Sequence, residues 1–326
     1  MGIVGAGLMA GQLALLFVRR LEVPVVLTDL DQERVDKGVG YVHAEVDKLL
    51  AKGRVSADKA NRLTALVTGA VDKRAVFADA DFVVEAVFEE MSVKKAVFAD
   101  VEKVVSPEAI LATNTSSLSI TEMASELEHP GRVVGFHFFN PVAVMPLLEI
   151  VRGEQTDEPT LATAFATGKA LKKTTILVQD SPSFIVNRLL GRFMSEVGRV
   201  VDEGTPVEVA DSAFAGVVPM PPFMLLSLVG PAVALHNNET LAAAFPDRFY
   251  VSPSLERFVR AGNVTYYLPD WDRRPGRRGV RRATRAARGA GARRAPRPGA
   301  LGALADEARQ MLDEGSWRPR RTSTWR

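Results

Sequence analysis

The sequence predicts an α/β fold built on a doubly wound sheet. Three observations carry that prediction. Strand-like and helix-like segments alternate from residue 2 to about residue 151. A glycine-rich turn follows the first strand, and an acid ends the second. Of the 326 residues, 47% are hydrophobic and 25% charged, enough for one large or two ordinary domain cores. The absence of cysteine excludes disulfides, thiolate nucleophiles and cysteine-ligated zinc or iron–sulfur sites. The longest apolar runs, such as Leu13–Val18 and Phe223–Val229, are too short to span a bilayer. The first residues lack the basic flank and cleavage site of a signal peptide, so a soluble, cytoplasmic protein is expected.

The elements follow in order. Gly2–Val4 reads as the end of a short buried strand, with only four residues before Gly5. Gly5-Ala-Gly7-Leu8-Met9-Ala10 fits G-x-G-x-x-G/A and opens a helix over roughly Leu8–Arg20, the Rossmann-type arrangement. Gly5 permits the tight turn, Gly7 lets a pyrophosphate approach, and Ala10 lets the helix lie close to the strand; the helix amides point at the phosphates. Val23–Thr28 reads as a second buried strand and ends in Asp29, 24 residues after Gly5. An acid there accepts from an adenosine ribose and repels a 2′-phosphate, which favours NAD over NADP. The alternative makes Asp29 a cap on the next helix.

Tyr41–Gly53 and Ser56–Leu66 read as charged helices, the first with Val46, Leu49 and Leu50 in a stripe and Lys48 and Lys52 on its polar side. Asp81–Val87 is a strand followed by Glu89, Glu90 and Lys94; Val93–Val105 is a helix. Ile110–Thr113 is a strand ending in Asn114-Thr-Ser116-Ser-Leu, where open α/β sheets bind ligands. Ser117 or Ser119 suits a cap for a helix over Ser119–Leu127, which leaves Asn114 and Ser116 for a ligand. Val133–Phe136 is a strand that His137 follows, and Leu147–Val151 is another. His137 is the most informative of four histidines, since His43, His129 and His236 sit in charged or loop settings. Glu149 lies in the apolar run Leu-Leu-Glu-Ile-Val, where an acid is costly unless paired. A His137–Glu149 pair solves that cost and would raise the basicity of the imidazole, which suits a base taking a proton from an alcohol. Spacing alone does not show that they touch.

The total charge of +2 hides a split. Residues 272–326 hold 16 Arg, no Lys and five acids, a net +11, which leaves −9 on the first 271 residues. Residues 273–300 are almost entirely Arg, Ala, Gly and Pro and cannot bury enough apolar surface to order themselves. A nucleic-acid-binding tail is one reading; a frameshift in a GC-rich gene is preferred, because no aromatic residue interleaves the Arg. Helical patterning returns at Ala300–Gly315, with Leu301, Leu304, Ala308, Met311 and Leu312 on one face.

Taken together, Gly5-Ala-Gly7-Leu-Met-Ala, Val-Glu85-Ala-Val-Phe-Glu89, Asn114-Thr-Ser116-Ser-Leu, Gly135-Phe-His137-Phe-Phe-Asn140-Pro and Phe184-Ile-Val-Asn187-Arg resemble the 3-hydroxyacyl-CoA dehydrogenase family over residues 2 to about 270. The pattern is similar above all to the dehydrogenase portion of bacterial multifunctional fatty-acid oxidation proteins, without the hydratase portion. The resemblance implies a Rossmann NAD-binding domain at 1–180, an all-helical C-terminal domain at 181–271 that caps the cleft and forms a homodimer, and then the Arg-rich tail at 272–326. It implies helices over Phe184–Val200 and Met224–Leu235. It implies NAD-dependent, reversible oxidation of a 3-hydroxyacyl-CoA, with hydroxybutyryl-CoA as the conservative substrate, no metal and no nucleic-acid partner. His137 would be the general base and Glu149 its orienting partner; Ser116, Asn140 and Asn187 would bind the substrate oxygens. Glu89, Lys94 and Asn114 match cofactor-contacting positions, alongside Gly5, Gly7, Leu8, Met9, Ala10 and Asp29. Lys52 matches a lysine near the CoA phosphates.

Departures from the family pattern are Ser183 in Asp180-Ser-Pro182-Ser183-Phe, Pro221 in Pro219-Met-Pro221-Pro-Phe223, and a shortened Gly262-Asn-Val-Thr-Tyr266-Tyr loop that loses a lysine. A missing second helical repeat would leave apolar surface on 181–271. A Rossmann hydroxyacid dehydrogenase acting on a free acid is the enzymatic alternative; its catalytic lysine would have to be Lys169, Lys172 or Lys173, which lack that family's glycine-rich surroundings. An inactive NAD-binding remnant with a nucleic-acid-binding tail is the other alternative.

Overall fold

Residues 1–267 and 296–316 are described by the computed structural model, in two units, Met1–Ser181 and Pro182–Arg326. The Arg-rich run at 272–295, and with it the frameshift and nucleic-acid readings, lies outside the described residues.

In the first unit the strands are β1 (Gly2–Val4), β2 (Val25–Thr28), β3 (Val67–Gly69), β4 (Phe82–Glu85), β5 (Ile110–Thr113), β6 (Val133–Phe138), β7 (Leu147–Arg152) and β8 (Thr174–Gln179). They form one sheet in the order β3-β2-β1-β4-β5-β6-β7-β8. The first six positions follow the dinucleotide-binding order, which places a ligand crevice at the carboxyl ends of the strands. All pairings are parallel except β6 with β7. The helices are α1 (Leu8–Leu21), α2 (Gln32–Ala51), α3 (Ala57–Ala65), α4 (Lys73–Phe77), α5 (Met91–Glu102), α6 (Ile120–Ala124) and α7 (Glu158–Ala170). Ile3, Leu13, Phe17, Leu27, Val84 and Phe136 are fully or almost fully buried between them, each worth about 1.5–3 kcal/mol of apolar burial.

The clearest differences from the sequence reading concern α2, β3, β8 and β6. α2 begins at Gln32 rather than Tyr41, because Asp31 caps it by accepting from Arg34 N at 2.9 Å. Gly38 and Gly40 sit inside the helix, and Gly38 leaves room for Ala6. The short strand β3 and the edge strand β8 carry too weak an apolar alternation to be read before the sheet is assembled. β6 runs through Phe138, so His137 lies within the strand rather than after it.

The second unit is helical among its described residues: α8 (Val186–Asp202), α9 (Val207–Ser212), α10 (Pro222–Val229), α11 (Pro231–Ala244), α12 (Pro253–Arg260) and α13 (Pro296–Asp313). The single helix expected over Met224–Leu235 is two, broken at Gly230, whose φ of 101° and following proline end α10. Phe193, Val197, Phe214, Phe223, Leu226, Leu255 and Tyr266 form its core. The shortened loop packs into it: Tyr266 stacks on Phe258 with ring centroids 4.0 Å apart, and the Tyr267 hydroxyl donates to Asp211.

α13 lies against α8. Its buried face is Ala300, Ala303, Glu307 and Met311, whereas Leu312 of the expected stripe is exposed. The face is rotated because Glu307 is drawn inward by Arg188, with Nε 2.6 Å from Oε1. Arg188 also donates to Glu314 at 2.7 Å. Arg188 and Arg248 both lie over Phe245, at 4.2 and 4.3 Å from the ring centroid, and Arg248 Nη1 is 3.0 Å from Glu314. This helix therefore covers part of the surface that a missing repeat was expected to leave bare. Among the described residues, no helix is long and apolar enough to cross a membrane.

Candidate active site

The carboxyl ends of β1, β2, β4, β5 and β6 gather most of the polar residues singled out in the first unit. At β1, Gly5 has φ 107°, and a Cβ there would lie 2.6 Å from the Ala86 carbonyl oxygen, so only glycine fits. A Cβ on Gly7 would meet nothing within 4 Å, so the space over the first turn of α1 is open. That turn, Leu8, Met9 and Ala10, has no capping side chain and no acid, whereas Asp31, Ser56, Ser119 and Asp157 cap α2, α3, α6 and α7. Uncapped amides in open space suit an anion.

Asp29 Oδ2 accepts from Ala6 N at 2.7 Å and Oδ1 from Leu30 N at 2.7 Å. Its carboxylate is thus held beside the glycine turn, and the cap of α2 falls to Asp31 instead. Leu8, Leu30, Val71 and Phe88 are exposed apolar side chains following β1, β2, β3 and β4. A flat aromatic ligand would cover such a rim. These observations fit NAD. Lys52 stands exposed at the C-terminal cap of α2.

At β4 and β5 the structure builds a buried ionic chain. Glu85, fully buried at the end of β4, binds the Lys94 ammonium at 2.7 and 2.9 Å. It also accepts from the Thr113 hydroxyl at 2.6 Å and from Val87 N at 2.6 Å. Lys94 lies 3.2 Å from Glu89 on its other side and is itself 1% exposed. Glu89 in turn accepts from the Thr115 hydroxyl at 2.6 Å, from Ser116 N at 2.7 Å and from the Ser116 hydroxyl at 3.1 Å. Burial works against the Glu89 carboxylate. The Lys94 ammonium, the Thr115 hydroxyl and the Ser116 amide outweigh it and hold its pKa below the ordinary value.

At β6 the antiparallel register pairs His137 with Glu149 of β7. His137 Nδ1 is 2.7 Å from Glu149 Oε2, and both side chains are buried. Engagement through Nδ1 places Nε2 at the opposite edge of the ring. The Phe139 ring lies against the imidazole, centroids 4.5 Å apart. Asn114 Oδ1 accepts from Phe138 N at 3.0 Å, which ties the end of β5 to the end of β6. Asn140, two residues further along, is exposed. Asn187 belongs to the second unit, in the first turn of α8, where its carbonyl accepts from Asn237. Lys173 donates to the Met145 carbonyl at 2.7 Å and also to that of Val142. It staples the loop after β6, and burial lowers its pKa. Lys169 lies in the last turn of α7 and Lys172 just after its C-terminal cap, and both are exposed.

Gln12 and Glu85 escaped the sequence reading as contributors to this site, and Lys173 entered it only as a catalytic lysine of the free-acid alternative. Gln12 and Glu85 each left a signal, a polar residue alone in an apolar helix or strand.

A sequence model described as 3-hydroxyacyl-CoA dehydrogenase, NAD binding domain, matches residues 1–181, and that family's C-terminal domain matches residues 184–266. The chain belongs to the 3-hydroxyacyl-CoA dehydrogenase family. Its first unit is accordingly the NAD-binding domain of a 3-hydroxyacyl-CoA dehydrogenase family member. The chain is similar to the fatty acid oxidation complex subunit alpha of Idiomarina loihiensis, 38% identical over 252 residues, which are 76% of this chain and 34% of that protein. Among solved structures it is similar to M. tuberculosis FadB2, 33% identical with a TM-score of 0.77, covering 81% of this chain and 94% of that one. It is also similar to (S)-3-hydroxybutyryl-CoA dehydrogenase PaaH1 from Ralstonia eutropha, 33% identical with a TM-score of 0.75 and the same coverage. The chain spans about a third of the length of the curated multifunctional relatives it matches.

Proposed function

We propose that this family member catalyses the reversible, NAD-dependent oxidation of (S)-3-hydroxyacyl-CoA to 3-oxoacyl-CoA, with hydroxybutyryl-CoA as the first substrate to test. The buried 2.7 Å contact between His137 and Glu149 carries the reading. In the oxidising direction His137 Nε2 takes the proton of the C3 hydroxyl. The Glu149 carboxylate holds the ring through Nδ1 and offsets the positive charge the imidazole acquires. NAD, when bound, supplies the hydride acceptor. In the reducing direction His137 returns the proton to the C3 oxygen.

The remaining roles follow from placement and from likeness to the family. Gly5, Gly7, Leu8, Met9 and Ala10 would bind the pyrophosphate, and Asp29 the adenosine ribose. Glu89 and Asn114 would border the nicotinamide half, since a dinucleotide running from β2 across β1 extends toward β4 and β5. Lys94, buried between two carboxylates, would act there through Glu89. Ser116, Asn140 and Asn187 would hydrogen-bond the substrate, and Lys52 would meet the CoA phosphates. The domain division proposed is 1–180 for the cofactor and 181–271 for substrate binding and homodimerisation. A cytoplasmic location suits a fatty-acid oxidation enzyme of this family. The free-acid reading is disfavoured because Lys173 is consumed by backbone carbonyls.

The test is loss of NADH absorbance with acetoacetyl-CoA for the purified chain and for His137→Gln. Turnover that collapses in the variant supports both the activity and its base. Turnover on free 3-oxo acids alone, or equal rates for the two proteins, would sink the proposal.

A further inference from the structure

Between the glycine-rich turn and Arg19, α1 carries a single polar side chain, Gln12. It is half-buried and reaches the loop after β6, where it makes two hydrogen bonds. One of them fixes the orientation of its amide. A backbone N–H only donates, so the atom 2.7 Å from Val142 N must be the Gln12 oxygen, Oε1. The atom 3.0 Å from Asn140 is therefore Nε2, a donor. Asn140 must answer it with Oδ1, which leaves the Asn140 NH₂ group turned the other way, on an exposed side chain. The same logic holds at Asn114, whose Oδ1 is taken by the Phe138 N–H. Both asparagines at this end of the sheet thus present N–H donors.

We infer that Gln12 is a positioning residue that sets Asn140 as a hydrogen-bond donor to the C3 oxygen of the substrate. The inference rests on the dehydrogenase reading above. As the 3-oxo group is reduced, its oxygen gains negative charge before His137 protonates it. An N–H aimed at that oxygen binds it more tightly as the charge grows, which raises kcat rather than lowering KM. A carbonyl oxygen aimed there would repel it. Gln12 selects between the two states without touching substrate, through a side chain on the same helix whose first turn faces the cofactor phosphates.

The test uses the full chain and the variants Gln12→Glu and Gln12→Met. A glutamate at this position still accepts from Val142 N but no longer donates, so Asn140 reverses to donate to it and turns its oxygen toward the substrate. The methionine variant keeps the length and frees Asn140 to adopt either state. With acetoacetyl-CoA and NADH, kcat falls about 100-fold in Gln12→Glu, on the scale of one lost oxyanion donor, and less in Gln12→Met. KM for acetoacetyl-CoA and the Kd for NADH move little in both. A merely structural role would instead lower the melting temperature and kcat alike in the two variants. A second readout is independent of turnover: the side-chain NH₂ resonances of Asn140, assigned by their loss in Asn140→Asp. They shift downfield in Gln12→Glu as that group becomes bonded to a carboxylate, and unchanged resonances or kcat within twofold of wild type would overturn the inference. If the unaltered chain does not reduce acetoacetyl-CoA, the dehydrogenase reading fails, and the resonances alone decide what Gln12 does to Asn140.

Discussion

Replacing Glu149 with Gln probes the centre of the proposed chemistry while keeping its shape. The side chain is isosteric, and its oxygen can still accept from His137 Nδ1, so ring orientation is largely kept. What is removed is the negative charge, 2.7 Å from an imidazole that is 4% exposed. A hydrogen bond to a charged group in such a site is worth about 1.5–3 kcal/mol. That charge is needed only when the imidazole is positive, so the loss falls on the transition state and on the step that forms it. At about 1.4 kcal/mol per decade, kcat for oxidation of 3-hydroxybutyryl-CoA, the direction in which the imidazole gains its charge, drops roughly 10- to 150-fold. The assay is steady-state NAD reduction with 3-hydroxybutyryl-CoA, with NADH affinity from fluorescence as the control, which stays unchanged because Glu149 lies on β7, away from the glycine turn. A kcat within threefold of the parent, with a normally folded variant, would refute the role of Glu149 as the counter-charge of the base.

Other outcomes follow from the same structure. Ser183 is fully buried with φ 61°, and its hydroxyl has no partner among the described residues. Ser183→Gly relieves the left-handed strain and the unmet hydroxyl, partly offset by glycine's greater chain entropy, and raises stability by about 1 kcal/mol in urea unfolding. Glu307→Ala leaves the buried Arg188 without its main counter-charge and costs about 3–5 kcal/mol; limited proteolysis then cuts α13 early, and Arg188→Met combined with Glu307→Leu restores much of the loss. The lowered pKa of Glu89 means that its ionised form stabilises the fold above its ordinary pKa of 4.5. That contribution is lost as pH falls through the lower folded value. Parent and Glu89→Gln therefore differ most in urea melts near about pH 7 and converge toward about pH 3.

The glycine turn, Asp29 and the apolar runs of β1, β2, β4, β5, β6 and β7 are local patterns, and local geometry suffices to write them into the sequence. The need of Glu149 for a partner is also local, because an acid in the apolar run of β7 has few ways to be satisfied. His137 was legible as a candidate for a related reason, as a histidine at the ligand edge of a sheet. That the two touch was decided by the antiparallel register of β6 and β7, a pairing between residues twelve apart that spacing leaves open. Longer-range contacts were further out of reach. Gln12 meets the Asn140 loop across 128 residues of chain, and Glu307 reaches Arg188 across 119. The sequence marks Gln12 as a polar residue in an apolar helix but names no partner for it, and Glu307 reads as an ordinary solvated residue. Hydrophobic periodicity determines which face of an element turns inward, but the orientation of an amide or the destination of a buried carboxylate depends on donors that arrive only when distant segments pack.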